Sequence, residues 1–453
     1  MSKESCGLSI EALETKIALT NDPLFGSQWG LSFIHASEAW NNVSITNKPI
    51  VAIVDSGIDL NNSDLKDNLW TNPKEIPNDG IDNDSNGYVD DINGWNFVNL
   101  NNKPQDDYYH GTHVAGIVGA VSNNNIGVAG VAPNVSIMPL KFQGSNGMGY
   151  AGAAIYAINY AVSMKNRGEN IVAINISWTT GLSDNTGIKN ALQKASDADI
   201  VVVVAGGNDG QNLDVSSARY PVAYNLKNEI TVASINPDAS ISGFSNYGKN
   251  YINIGAPGSN ILSTLPGNAY GNISGTSMAA PFVSGAVAFL KSINIYYSAS
   301  QIKSAILNGA SYVSNLADKV GVGVLNLKGA VEKLLTMKPA LSPLAPAAPV
   351  VPPAPSFGVM NYHLDTVSKS LIKGWANDSV NSNVKLVVEI RINNVLRYSV
   401  PANLYRSDTR ASNGFNVSIN RSYLKSGLNS FTITLKNPVT NGTNLIYSGK
   451  IRK

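Results

Sequence analysis

Gly275-Thr276-Ser277-Met278-Ala279-Ala280-Pro281 leads into Phe282-Val283-Ser284-Gly285-Ala286-Val287-Ala288-Phe289-Leu290. Apolar positions recur along this run as a buried helix requires, and a serine stands at its start. Gly275 has no Cβ, so backbone can pass close beside it. Pro281 is expected within the first turn, where a missing N–H costs little. Ser277 then lies at the positive end of the helix dipole, where negative charge is favoured. A hydroxyl there suits a nucleophile whose attack creates an oxyanion. Taken alone it suits a helix cap equally well, and the surrounding chain decides between the two.

Working outward, Ile50-Val51-Ala52-Ile53-Val54 runs without a polar break into Asp55-Ser56-Gly57. A short β-branched run of this kind predicts a strand buried on both faces of a parallel sheet. Asp55 would stand at its carboxyl end, where open α/β sheets place their sites. Tyr109-His110-Gly111-Thr112-His113-Val114-Ala115-Gly116 predicts a turn and then, from Thr112, a helix of small residues packed on the sheet. Further strands are predicted at 136–141, 171–177 and 200–205, separated by amphipathic helices at 150–164 and 186–196. Alternating strands and helices give a doubly wound α/β fold with a mostly parallel sheet. Short strands and turns fill 229–264, and helices follow at 298–309 and 328–337. Residues 339–356 form a Pro/Ala-rich stretch, expected to be an extended linker. Beyond it, 384–392, 414–419 and 429–435 alternate like strands, which predicts an all-β sandwich over 357–453. The chain therefore divides into an N-terminal extension (1–20), an α/β domain (21–338), the linker and the β domain.

With 453 residues, several domains are expected. Charged residues make up 14%, against about 25% in typical soluble domains. A net charge of +2 gives no basic face for nucleic acid. No apolar run reaches the roughly 18 residues of a membrane span, so none is expected. Cys6 is the single cysteine, which excludes an intrachain disulfide. The first 20 residues carry no apolar signal core. That leaves a cytosolic chain, or one whose leader lies outside this numbering.

Chemistry narrows the choice. The histidines are His35, His110, His113 and His363, and a base for Ser277 must be one of them. His110 and His113 do not form the His-Glu-x-x-His of a zinc peptidase. The order Asp55, His110, Ser277 is that of the subtilisin triad, unlike chymotrypsin or the α/β-hydrolases. Asp55-Ser56-Gly57-Ile58, His110-Gly111-Thr112-His113-Val114-Ala115-Gly116, Ala205-Gly206-Gly207-Asn208-Asp209-Gly210 and Gly275-Thr276-Ser277-Met278-Ala279-Ala280-Pro281 together resemble the signature segments of subtilisin-like serine proteases. The resemblance covers roughly residues 20–335. It implies that Ser277 is the nucleophile, His110 the base, Asp55 its orienting acid and Asn208 an oxyanion donor. His113 would be structural.

The resemblance further implies that polypeptide substrates lie as a strand between two segments. Here these are Gly147-Met148-Gly149-Tyr150 and Ser177-Trp178-Thr179-Thr180. The second departs from the usual Ser-Leu-Gly-Gly, which puts Thr179 and Thr180 in place of glycines at the rim of the S1 pocket, with the bulky Trp178 before them among the substrate-binding residues. Arg219 stands where a small residue is usual at the pocket floor. Either it closes the pocket by pairing with Asp209, or it favours acidic or small P1 residues.

For metals, Asp82-x-Asp84-x-Asn86-Gly87 follows the first half of a calcium loop, with Asp90 ninth. The twelfth position is Asn93 rather than glutamate, so this is no intact EF-hand. Structural Ca²⁺ is expected there. The resemblance implies a second calcium site at Asp22, Asp64 and Asn124. The segments 371–376 and 402–408 resemble an accessory β-sandwich of bacterial secreted enzymes. A role as spacer, in surface attachment or in glycan binding stays open. The implied location is secreted or cell envelope, with an inhibitory propeptide as a further partner. Two other readings compete: a non-catalytic relative used for binding or adhesion, and a lipase. The lipase elbow Gly-x-Ser-x-Gly is broken by Ala279, and only His363 follows the serine.

Overall fold

A computed structural model describes residues 21–340 and most of 360–452. In the latter span it leaves out 369, 379–385, 394, 402–403, 407–410, 427 and 437–442. The N-terminal extension with Cys6, most of the Pro/Ala stretch and part of segment 402–408 lie outside the described residues.

Two short helices, α1 (Trp29–Phe33) and α2 (Ala36–Asn41), precede β1 (Ile50–Asp55). Then come β2 (Trp95–Asn96), α3 (His110–Gly119), β3 (Ser136–Lys141), α4 (Ala151–Asn166), β4 (Ile171–Ile176), α5 (Thr186–Asp197) and β5 (Val201–Ala205). β6 (Glu229–Ile235), β7 (Ile254–Pro257), β8 (Ile261–Leu265) and β9 (Ala269–Ile273) lead to α6 (Thr276–Ile293), α7 (Ala299–Asn308) and α8 (Leu327–Leu335). One seven-stranded sheet runs in the order β2-β3-β1-β4-β5-β6-β7. Every pairing in it is parallel.

Strand alternation explains the layers. In β1, Val51 and Ile53 join one core with α3, α6 and α8, while Ile50, Ala52 and Val54 join the other with α4 and α5. Side chains on opposite faces of a strand need separate covers, and the helices supply one on each side. The doubly wound α/β fold is therefore as expected.

Three details differ from the sequence reading. Helix α3 starts at His110 itself rather than after a Gly-Thr turn. Pro281 lies past the first turn of α6, because the helix already begins at Thr276. And α6 is, by length and mean hydropathy (18 residues, 1.2), long and apolar enough to cross a membrane, yet 89% of it is buried inside the structure. A helix packed between a sheet and other helices is apolar all round for the same reason a spanning one is.

The C-terminal residues form β10 (Met360–Val367), β11 (Leu371–Asp378), β12 (Val387–Ile392), β13 (Val395–Pro401), β14 (Leu404–Arg406), β15 (Ala411–Ser418), β16 (Leu428–Lys436) and β17 (Thr443–Arg452). They pair antiparallel in two four-stranded sheets, β10-β11-β15-β14 and β13-β12-β16-β17. Ile372, Phe415 and Val417 of the first sheet meet Val388, Ile390, Phe431 and Ile433 of the second in one apolar cluster. This is the sandwich arrangement expected from the alternation.

Candidate active site

The carboxyl edge of the sheet gathers the signature segments. Asp55 ends β1, Ser177 follows β4, and Asn208 follows β5. His110 opens α3 and Ser277 lies in the first turn of α6.

Asp55 is fully buried, and its Oδ1 lies 2.8 Å from His110 Nδ1. The same oxygen accepts the Ser56 N–H at 2.7 Å, which fixes the carboxylate. Burial alone would push the His110 pKa down, but the charge and hydrogen bond of Asp55, with the charge of Asp106, outweigh it and raise it. A second carboxylate, Asp106, ties the two segments together. It accepts from Ser56 Oγ, from the backbone N–H groups of Tyr108, Tyr109 and Thr112, and from Thr112 Oγ1. Ser56 Oγ in turn accepts the Gly111 N–H at 2.9 Å. Tyr109 adopts φ +125°, a costly value for a non-glycine residue, directly before His110. The Tyr109 N–H bond to Asp106 holds it there. Lys141 adds charge from the adjacent strand, its buried Nζ donating to Ser56 O and Asp107 Oδ1.

The Ser277 hydroxyl donates to the Ser177 carbonyl at 2.9 Å. Its single proton is used there, so it is not donated to His110. Apo sites often show this kind of looseness between nucleophile and base. Beside it, Asn208 Oδ1 accepts both the N–H and the Oγ1 of Thr276, each at 2.9 Å. That pair of bonds fixes the Asn208 amide, whose Nδ2 lies 3.6 Å from where a Cβ on Gly275 would stand. Thr276 Oγ1 also accepts the Gly207 N–H at 3.1 Å, locking the two segments.

The flanking segments are less uniform. Gly147 has φ +72°, and Met148 and Tyr150 stand out from the surface at 73% and 80% exposure. Gly149 packs on Phe142 so closely that a Cβ would lie 2.4 Å from its ring. Thr179 is exposed. Trp178, expected among the substrate-binding residues, has its ring in the core instead. Its ring lies against that of Phe142, tilted by 51° (centroids 4.9 Å), and its Nε1–H donates to Val54 O at 3.0 Å. An indole at a strand end gains more from burial with its N–H satisfied than from exposure. Arg219 Nε reaches Asp209 Oδ2 at 3.3 Å, and the arginine side chain is only 18% exposed. His113 is buried, with Nε2 at 3.1 Å from Gly271 O, and burial pushes its pKa down to about 4.

At the acidic insertion, Glu75, Asp82 and Asp84 can bring ligand oxygens within 4.8 Å of one another. Oδ1 of Asp84 and Oδ1 of Asp90 are buried without a partner. Asp82 receives the N–H groups of Asn86 and Gly87, and Asn86 Nδ2 donates to Asp84 and Asp91. The sequence pattern missed Glu75, which lies upstream of the loop and meets it only through folding. At the other expected site, Asp22 and Asp64 are both buried. Asp22 accepts the N–H groups of Asn123 and Asn124, and Asp64 accepts from Asn124 Nδ2, Val128 N and Tyr270 Oη. Burial raises the Asp64 pKa and the Asp22 charge adds to it. Among the described residues no lysine or arginine pairs with either.

Thr276 and Asp106 also escaped the sequence reading. The only trace is their place, one residue before the serine and four before the histidine.

Among known proteins, the chain matches the subtilase family over residues 46–330. It is 34% identical over 340 residues to subtilisin-like protease 1 of Plasmodium falciparum, covering 70% of this chain and 48% of that protein. The chain thus spans about half the length of that relative. To thermitase of Thermoactinomyces vulgaris it is 35% identical over 313 residues, 69% of this chain and 99% of thermitase. A solved structure of a protease from Pseudoalteromonas arctica superimposes with a TM-score of 0.58 at 27% identity, covering 70% of this chain and 99% of that one.

Proposed function

The chain belongs to the subtilase family, and from that premise we propose that it is a serine endopeptidase whose triad is Ser277, His110 and Asp55. The observation that carries this is the 2.8 Å contact of buried Asp55 with His110, on the same sheet edge as the start of the Ser277 helix. The Ser277 proton passes to His110 Nε2 as Oγ bonds to the scissile carbonyl carbon. His110 then delivers that proton to the leaving amine, and the C–N bond breaks. Water, deprotonated by His110 in turn, attacks the acyl carbon, and Ser277 Oγ leaves with the proton that His110 returns. Asp55 fixes the imidazole tautomer and stabilises the imidazolium. Asn208 Nδ2 and the Ser277 N–H stabilise the oxyanion.

The substrate is a polypeptide held along Gly147, Met148, Gly149 and Ser177, Thr179. Arg219 stands at the floor of the S1 pocket, where small or acidic P1 residues are preferred. Calcium would be held by Glu75, Asp82, Asp84 and Asp90, with the Asn86 amide close by, and at a second site by Asp22, Asp64 and Asn124. The orphaned oxygens of Asp84 and Asp90, and the paired buried carboxylates of Asp22 and Asp64, fit a hard cation. Bound there, it supplies charge neutralisation and rigidity, not a reaction step.

A peptide library cleaved by the parent and by Ser277→Ala tests the reading. Cleavage by the parent alone, richest at small or acidic P1, supports it. Preference for Phe or Leu at P1 would remove the pocket assignment, and equal cleavage by both proteins would remove the triad.

A further inference from the structure

Ser277 opens α6 with a carbonyl that lacks its usual helical donor. The N–H four residues on belongs to position 281, and Pro281 has none. The Ser177 hydroxyl fills the gap, donating to Ser277 O at 2.9 Å. A hydroxyl has one proton, so what it accepts decides where it points. Asn175 Nδ2 donates to Ser177 Oγ at 2.9 Å, and Ser284 Oγ donates to Asn175 Oδ1 at 2.8 Å. Every donor therefore points the same way, from Ser284 through Asn175 and Ser177 to the Ser277 carbonyl. Asn175 and Ser284 are fully buried and Ser177 is 3% exposed. In apolar surroundings such groups are costly unless all are satisfied, and each bond polarises the next. Ser284 lies two turns beyond Ser277 on the same helix face. The run thus leaves α6, crosses to the end of β4, and returns to the first turn of α6.

We infer that Asn175 and Ser284 are positioning residues, acting through the Ser177 hydroxyl on the main chain of Ser277. The inference rests on the peptidase reading and adds two residues that touch no substrate. By holding the Ser277 carbonyl, the relay sets the tilt of the first turn of α6. That tilt aims both the attacking Oγ and the oxyanion-binding N–H. The same Ser177 begins the substrate-binding edge, and its carbonyl accepts the Ser277 hydroxyl. The two sides of the cleft are therefore pinned to each other through one residue. Misaiming the nucleophile weakens the transition state more than the bound substrate, so the loss falls on kcat and not on KM.

The test is a double-mutant cycle on the full chain with a peptide substrate, using Ser177→Ala, Ser284→Ala and the pair. Ser177→Ala is expected to lower kcat about fivefold, the size of one net hydrogen bond, with KM within about twofold. Ser284→Ala is expected to lower kcat less, and to cost nothing further once Ser177 is alanine. A multiplied loss in the pair, or a raised KM with unchanged kcat, would overturn the relay. A second readout does not need activity. Ser-Met pairs occur only at Ser163-Met164 and Ser277-Met278, so carbonyl-¹³C serine with ¹⁵N methionine gives two assignable resonances. The Ser277 carbonyl is expected to shift upfield in each variant while the Ser163 signal stays. An unmoved Ser277 resonance would refute the hydrogen bond. If the parent cleaves no peptide, the peptidase reading falls, and the carbonyl resonance still decides the relay.

Discussion

At the scale of single residues, the site depends on how His110 and Asn208 are held. In the proposed mechanism His110 must be neutral to accept the Ser277 proton. Its pKa is raised, since the charge and bond of Asp55 outweigh the effect of burial. The neutral form is then lost as pH falls through a value above the ordinary histidine pKa of about 6.5. The acid limb of kcat/KM is expected there, and Asp106→Asn, which removes one raising charge, should move it toward lower pH. A pH profile of both proteins checks this, and an unmoved or alkaline-shifted limb would contradict it. If Asn208 acts as proposed, Asn208→Ala removes a donor to charge that develops only in the transition state. A loss of about 10²–10³ in kcat with little change in KM is expected, the loss known for such a donor in subtilisin itself. The residues of the proposed site could be picked out of the sequence because each lies in a short motif at a strand end or helix start. Thr276 and Asp106 were not, because their partners, Asn208 and Ser56, are distant along the chain.

At the scale of elements, the approach of α3 to β1 decides whether His110 meets Asp55, the contact on which the proposed triad rests. A Cβ on Gly111 would lie 2.1 Å from Gly57 O and 3.2 Å from the Asp55 Cβ. Backbone cannot yield as a flexible side-chain end can, so Gly111→Ala must lift the helix off the strand. Overpacking of this kind costs about 1–3 kcal/mol. A lower melting temperature together with lost peptide cleavage is the expected outcome, and full activity at unchanged stability would refute the contact. The acidic insertion is the other element with a measurable consequence. Calcium at 100 times its Kd would add about 2.7 kcal/mol of stability. A chelator should therefore lower the melting temperature, and Glu75→Gln should weaken calcium binding in calorimetry. Glu75→Gln with unchanged affinity would remove it from the ligand set. Strand and helix positions were largely readable, since β3 lies where the apolar run predicted it. The start of α3 was not, because an outside carboxylate, Asp106, organises its first turn. Nor was the buried Trp178, whose indole found Val54 O across the sheet.

For the whole molecule, parallel topology brings residues more than two hundred positions apart to one edge. Asp55, His110, Asn208 and Ser277 lie on or beside β1, α3, β5 and α6, and strand order places β1, β4 and β5 side by side. The signature segments could be listed from the sequence, but their convergence follows only from that order. Labelling the full chain with a fluorophosphonate and locating the adduct by mass spectrometry tests this most directly. The account predicts one adduct, on the peptide containing Ser277, and its loss in His110→Ala. Absence of labelling in the parent, or labelling that survives in His110→Ala at the parent rate, would contradict it.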